Sequence, residues 1–265
     1  MTADKSIVID IHTHLMDGGL YTDDANDNPV EHALQEMDEA GVDLSVLLGI
    51  GFDAEGLADN NRQIREAVDA HPDRFVGFLG VDPHEDPGIT CDQIDRAVQE
   101  WGFRGLKMHQ WLQMFPTNDP IVYPIMERAS HYEIPVVFHS GTPPYTTPVL
   151  IADLAKRYPR VPVIIGHMGK TTLYYDCLTV MREVDNLYCD FSGNPLVGVL
   201  EWGIQNLGAH KFLYGSDEFG AGPGQAYGLE QIRHMMISEN QKRQIIGGNA
   251  AKLLKLTPGK KEGGE

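Results

Sequence analysis

The sequence predicts one (β/α)₈ barrel, and three observations carry that expectation. Eight short apolar runs open at Val8, Val42, Phe75, Gly105, Pro135, Pro162, Leu187 and Lys211, roughly thirty residues apart, with a helical stretch in each interval. That spacing suits right-handed β-α crossovers, and eight in succession close a parallel barrel. The first strand-to-helix turn carries two histidines, where a doubly wound open sheet would carry a Gly-rich dinucleotide turn. Several runs also end in His, Lys or Asp, and the C-terminal rim of a barrel is where its chemistry gathers.

Taken in order, the first strand is VIDIHTHL, Val8 to Leu15. Regular pleating would put Asp10, His12 and His14 on one face. MDGGLYTDDANDN is too rich in Gly, Asp and Asn for a core element and reads as a loop over a site. Asn28-Pro29, with Glu31 at the third helical position, starts a helix that stops near Gly41. The unit then repeats: VDLSVLLGI, the helix DNNRQIREAVDAHPDR and the strand FVGFLGVD. ITCDQIDRAVQEWG leads into GLKMHQ, IVYPIMERASHYE into PVVFHSG, and VLIADLAKRYPRV into PVIIGHMG. TLYYDCLTVMREVDN leads into NLYCDFSG, and LVGVLEWGIQNLGAHK into KFLYGSDEFG. The helix-start signal recurs at Asp119-Pro120, Thr147-Pro148 and Asn194-Pro195, where the cap accepts orphan amide bonds and proline has no amide to lose. A last helix and a short piece capped by Asn249 follow, and 257–265 reads as a disordered tail. The barrel is therefore expected over 1–256, with no internal boundary.

At 265 residues and 42% hydrophobic content the chain can fill a large core. Twenty-one basic against thirty-eight acidic residues give a net charge of -17, which argues against general affinity for nucleic acid or anionic membrane. Cys91, Cys177 and Cys189 are scattered, with no CxxC pair, so neither a disulfide framework nor a thiolate metal site is expected. With no secretory pattern at the N-terminus and no long apolar window, the expectation is a soluble cytoplasmic protein.

Two imidazoles on one short strand, His12 and His14, point to a shared divalent metal. His139, closing PVVFHSG, offers a third imidazole, and Asp217 in LYGSDEFG a carboxylate. Such a set leaves Zn²⁺, Mn²⁺ or a similar ion room for water or substrate. His167, in VIIGHMG, has three uses open to it: a ligand of a second metal, a partner that orients Asp217, or a stabiliser of substrate charge. Asp10 is expected to orient an imidazole from behind. Lys107 and His109 share a face of strand 4, and an ammonium aimed into a barrel needs an anionic partner. That partner is an acidic substrate or an internal Asp in a scaffold role, unless the amine is carboxylated into a bridge between two metals. Asp82, Asp190 and Ser192 are the polar residues ending strands 3 and 7. No GxGxxG opens a helix after strand 1, and GxxxxGK[ST], HExxH and a nucleophile elbow are absent.

DIHTHL, FHSG, GHMG and GSDEFG together resemble the amidohydrolase superfamily, specifically the amidohydrolase-related group with aminocarboxymuconate semialdehyde decarboxylase-like enzymes. The resemblance runs from Ile9 to Leu256, and NAAKLLKL is similar to the group's NAxxLxxL ending. It implies a single Zn²⁺ or similar ion on His12, His14, His139 and Asp217, with His167 catalytic or Asp-orienting. In two-metal relatives the strand-4 lysine bridges and the strand-6 histidine joins the second ion, which would involve Lys107 and His167. The expected activity is hydrolysis of a small, carboxylate-bearing ester, lactone or amide by a metal-activated water, with Asp217 as general base. Lys107, His109 and Trp111 would bind the anionic substrate. The alternatives are non-oxidative decarboxylation of an unsaturated or aromatic acid, and a metal-binding barrel without turnover. Trp111, Met114 and Phe115 serve equally as walls of a site or as a homodimer interface.

Overall fold

The computed structural model describes residues 6–15, 28–218 and 224–256. Eight parallel strands stand side by side in chain order: β1 (Ile9–Thr13), β2 (Leu44–Leu48), β3 (Phe75–Gly80), β4 (Gly105–Met108), β5 (Val136–Phe138), β6 (Val163–Ile165), β7 (Leu187–Asp190) and β8 (Phe212–Leu213). The sheet closes where β8 returns to β1. There the Ile11 amide donates to the Tyr214 carbonyl at 3.0 Å, the Asp217 amide to the His12 carbonyl at 2.8 Å, and the His14 amide to the Glu218 carbonyl at 2.9 Å. The predicted barrel is the fold of the chain. The expected tail at 257–265 and positions 16–27 of the expected loop lie outside the described residues.

Helices α1 (Pro29–Ala40), α2 (Ala54–Ala70), α3 (Pro87–Gln99), α4 (Tyr123–Tyr132), α5 (Pro148–Arg157), α6 (Lys170–Glu183) and α7 (Val197–Leu207) alternate with the strands. After β8 come α8 (Gln225–His234), α9 (Glu239–Arg243) and α10 (Asn249–Leu253). Asn28 caps α1 through the Val30 amide at 3.1 Å, and the helix ends on Gly41 at φ 76°. Asp86-Pro87 starts α3 in the same way, two residues before the expected Ile89, because the Asp86 carboxylate takes the Gly88 amide at 2.9 Å. Thr147 precedes Pro148 at the start of α5 but makes no side-chain cap bond, and two further expected caps do other work. Asn194 accepts from the Leu196 amide at 3.0 Å in a turn, and α7 begins only at Val197. Asn249 lies inside a continuous run from the π-helical turn Gln244–Gly248 into α10, and its amide group donates to Ala209 and Phe212 carbonyls at 2.8 Å each. The bonds tie this terminal run to the turn that leads into β8.

The period-two alternation of the strands divides their apolar residues between two clusters. Val46, Leu48, Val76, Phe78, Val137, Ile164 and Leu213 form one with Ala250 and Leu254. Leu47, Leu79, Leu106, Phe138, Ile165 and Cys189 belong to the other, with the helix residues Met37, Ile64, Ile94 and Ile151. Each large side chain removed from water contributes about 1.5–3 kcal/mol. Among the described residues no helix is long and apolar enough to cross a membrane.

Alternation fails at one place, and the site depends on it. Asp10 pairs with Ser45 but Thr13 pairs with Leu47, so three steps along β1 match two along β2. This bulge turns the following side chains relative to the pleat. Asp10 therefore shares a side with Ser45, and both accept from the Gln225 side-chain amide on α8, at 3.1 and 2.9 Å. His12 and His14 face the other way, so the expectation that all three share a face is corrected.

Candidate metal centre

His12 and His14 leave β1 with their ring tautomers fixed from behind. The Nδ1–H of His14 donates to the Leu48 carbonyl at 3.0 Å, and that of His12 to Asp190 Oδ2 at 2.9 Å. Each ring therefore presents a bare Nε2, the nitrogen a metal takes. Both point at one oxygen: Asp217 Oδ1 lies 3.5 Å from His12 Nε2 and 3.4 Å from His14 Nε2. Asp217 has φ 67°, a left-handed conformation that Asp tolerates better than most residues. Gly215 permits the approach, since a Cβ there would lie 2.9 Å from that of His12 and 3.2 Å from that of Asp190. Burial pushes the Asp217 carboxyl up, but His167, His14 and His12 outweigh it and hold it well below the usual range. For His14 burial dominates and lowers the imidazole, so its lone pair stays available.

Asp190, a candidate in the sequence only as a polar residue ending strand 7, has a role that the sequence did not assign. It ends β7 with no exposed surface. Oδ2 takes the His12 ring; Oδ1 accepts from the His167 amide at 3.0 Å, the Ser192 amide at 3.1 Å and the Ser192 hydroxyl at 2.6 Å. Burial alone would raise its pKa, but the charge and bond of His12 and the nearby His167 and Ser192 hold it far below the carboxylate norm. The orienting role expected of Asp10 toward an imidazole falls to Asp190 instead. Asp10 meets His12 only at the backbone, accepting its amide at 3.2 Å and that of Ser216 at 3.1 Å. Burial raises the Asp10 carboxyl to about 7 despite those bonds.

His167 sits at φ 61°, between Gly166 and Met168, in a turn before α6. Its Nδ1 lies 2.8 Å from the Ser192 hydroxyl and 4.0 Å from Asp217 Oδ2, and its Nε2 is 3.1 Å from His139 Nδ1. His139 thus joins the set through His167, with its own Nε2 on the Thr142 hydroxyl at 3.0 Å. Two triads have ligand atoms within 4.8 Å of one another: His12, His14 and Asp217, and His12, His167 and Asp190. His139 is in neither. Burial, with neighbouring His167 and His109, lowers the His139 imidazole strongly; burial likewise takes His167 down to about 3.

Lys107 is 1% exposed, with Nζ 3.3 Å from His12 Nε2. Burial lowers it to about 8, while Asp217 and Asp190 pull the other way. His109 lies parallel to His139, ring centres 4.0 Å apart, and burial with the charge of Lys107 pushes it down to about 2. Trp111 and Met114 are exposed on the loop after β4, but Phe115 is buried in the core and is no wall of a site.

This arrangement of two imidazoles, a carboxylate and a flanking lysine at a barrel mouth can be set against known proteins. The family profile described as amidohydrolase matches residues 9–256. The chain belongs to the amidohydrolase family. Within the family it is related to the aminocarboxymuconate semialdehyde decarboxylase-like enzymes. The 2-amino-3-carboxymuconate-6-semialdehyde decarboxylase of Dictyostelium discoideum is 25% identical over 300 aligned positions, spanning 93% of this chain and 82% of that protein. The gamma-resorcylate decarboxylase of a Polaromonas species is 24% identical over 288, spanning 83% and 85%. The 5-carboxyvanillate decarboxylase of Novosphingobium aromaticivorans, solved with manganese and 4-hydroxy-3-methoxy-5-nitrobenzoic acid, shares the fold with a TM-score of 0.74 at 18% identity, over 95% of this chain and 97% of that one.

These relatives overturn one expectation. Ester, lactone or amide hydrolysis by a metal-activated water does not stand, because the curated relatives just described, which match the chain over 83–93% of its length, are decarboxylases. The ligands alone cannot separate the two reactions, since both begin with a cation at the same rim.

Proposed function

We propose that the chain is a metal-dependent, non-oxidative decarboxylase of a small unsaturated or aromatic carboxylic acid. The observation that carries the reading is the convergence of His12 Nε2, His14 Nε2 and Asp217 Oδ1 beside a buried lysine amine, in a barrel whose relatives are decarboxylases. Imidazole nitrogens with a carboxylate oxygen suit Mn²⁺ or Zn²⁺, and the donors present fit either. His12, His14 and Asp217 would hold the ion, with His139 Nε2 as a further donor. A bound divalent cation would supply positive charge that orients the acid and draws density from the bond to be broken. One ion is assigned, because His12, His167 and Asp190 already spend their facing atoms on bonds to each other and to Ser192.

Lys107, as the unmodified amine, neutralises the anionic end of the entering acid and carries the proton nearest the ligand atoms. As the C–CO₂ bond breaks, its electron pair stays on the substrate carbon. Lys107 Nζ delivers the proton that forms the new C–H bond, and water later restores it. Asp217 Oδ2, turned toward His167, keeps counter-charge near that ammonium. The half-exposed Trp111 on the loop after β4 offers flat surface to a planar substrate.

The test is direct. The full chain loaded with Mn²⁺ or Zn²⁺ is offered a panel of hydroxybenzoic, carboxyvanillic and muconic-type acids, with CO₂ release measured and ¹⁸O from water traced. Release of CO₂ without ¹⁸O in the organic product is expected, and chelation should abolish it. No CO₂ from any acid with either metal would overturn the reading.

A further inference from the structure

The hydrogen bonds around Ser192 fix where the protons on three imidazoles must sit. Ser192 is 1% exposed and has one hydroxyl hydrogen. Its oxygen is 2.6 Å from Asp190 Oδ1, which as a carboxylate can only accept, and at that length the bond is charge-assisted. The hydroxyl hydrogen is therefore committed to Asp190, and Ser192 Oγ must accept from His167 Nδ1, 2.8 Å away. The other atoms facing that nitrogen, the Ser192 carbonyl at 3.3 Å and Asp217 Oδ2 at 4.0 Å, are acceptors too. A neutral His167 then carries its proton on Nδ1 and a lone pair on Nε2. That lone pair faces His139 Nδ1 at 3.1 Å, so His139 must place its proton there and leave its own Nε2 bare. The second oxygen of the same carboxylate does the equivalent for His12.

We propose that Ser192 is a positioning residue which, seated on Asp190, presets the tautomers of His167 and His139 before any cation arrives, so that His139 Nε2 carries no proton and accepts from the Thr142 hydroxyl, 3.0 Å away, until a cation takes that lone pair. No proton is gained or lost along the chain Asp190, Ser192, His167, His139; only its placement is decided. Without the hydroxyl, His167 Nδ1 keeps only the longer contacts to the residue-192 carbonyl at 3.3 Å and to Asp217 Oδ2 at 4.0 Å, so the hold weakens and the His167–His139 pair can populate the reversed bond, with Nε2–H on His167 and a proton on His139 Nε2. A cation must then first drive two rings to change tautomer. The inference rests on His139 and His167 belonging to the reaction site, as proposed above, but its test does not depend on turnover.

The experiment uses the full chain, ¹⁵N-labelled at histidine and stripped of metal, with His167 and His139 assigned from the spectra of His167→Gln and His139→Gln. Wild type should show His167 protonated at Nδ1 and bare at Nε2, and His139 likewise. In Ser192→Ala both rings should populate the other tautomer, and Zn²⁺ affinity by competition with a chelating dye should fall about tenfold. Ser192→Thr, which keeps the hydroxyl, should restore both. A wild-type His167 protonated at Nε2 would overturn the proposal without any variant. So would a Ser192→Ala protein with unchanged tautomers and Zn²⁺ affinity. Failure of CO₂ release with these signatures intact would count against the decarboxylase reading alone.

Discussion

The mouth of the barrel has two walls built on different principles. At the seam of β8, β1 and β2, side chains are aimed by backbone: the His14 ring hangs on the Leu48 carbonyl, and Asp217 is welded to β1 through its own amide. Across the mouth, at β5 to β7, side chains are aimed by other side chains, in a chain from His139 through His167 and Ser192 to Asp190. His12 belongs to both, with Nε2 in the seam and Nδ1 on Asp190. Backbone-aimed ligands tolerate changes nearby, because carbonyls stay put while the barrel stands. Side-chain chains fail link by link.

The harshest way to break that comparison is to remove a seam ligand outright. His14→Ala should take metal content in the purified full chain to background and CO₂ release with it, while the fold survives, because the lost ring leaves only a backbone carbonyl to be hydrated. Elemental analysis beside circular dichroism checks this. Normal metal content in the variant would show that the seam is not the cation site.

Asp190→Asn should come next. An asparagine offers NH₂ on one side, where the arrangement needs acceptors on both, so either the His12 Nδ1–H or the Ser192 hydroxyl meets a donor. Turning the His12 ring proton to Nε2 would block the ligand nitrogen. Metal affinity should fall by about 100-fold, the upper part of the range for such outer partners, against about tenfold for Ser192→Ala. Titration calorimetry with Mn²⁺ measures it. An Asp190→Asn affinity equal to wild type would mean that the far wall does not aim the seam at all.

The two walls also differ in how far they could be read from the sequence. His12, His14 and Asp217 were legible because each closes an apolar run in a short motif, and the period of such runs gave the eight strands. Asp190 and Ser192 were visible only as polar residues ending strand 7. What makes them matter is a pair of contacts across more than 170 residues of chain, which no local pattern encodes. Asp10 misled for a different reason. The period-two rule places it with the histidines, and the single extra residue in β1 relative to β2 breaks the rule just where it was applied. Hydrolysis was expected because the ligand set does not separate it from decarboxylation; the curated relatives, not the residues, speak against it.

That bulge supplies the mildest test. If it truly parts Asp10 from the imidazoles, weakening the Asp10 side should cost stability and leave metal binding alone. Gln225 is fully buried, and its side-chain amide serves both Asp10 Oδ2 and Ser45 Oγ. Gln225→Ala leaves a buried carboxylate oxygen short of a donor, a loss of about 1–2 kcal/mol. In urea unfolding of the metal-free chain the midpoint should drop accordingly with the slope unchanged, while Mn²⁺ affinity stays within about twofold of wild type. The His12 amide and the Ser216 amide still hold Asp10 Oδ1, so β1 and β8 remain joined above the bulge. A large fall in metal affinity in this variant would mean that Asp10 reaches the ligands after all, and that the two sides of β1 are not independent.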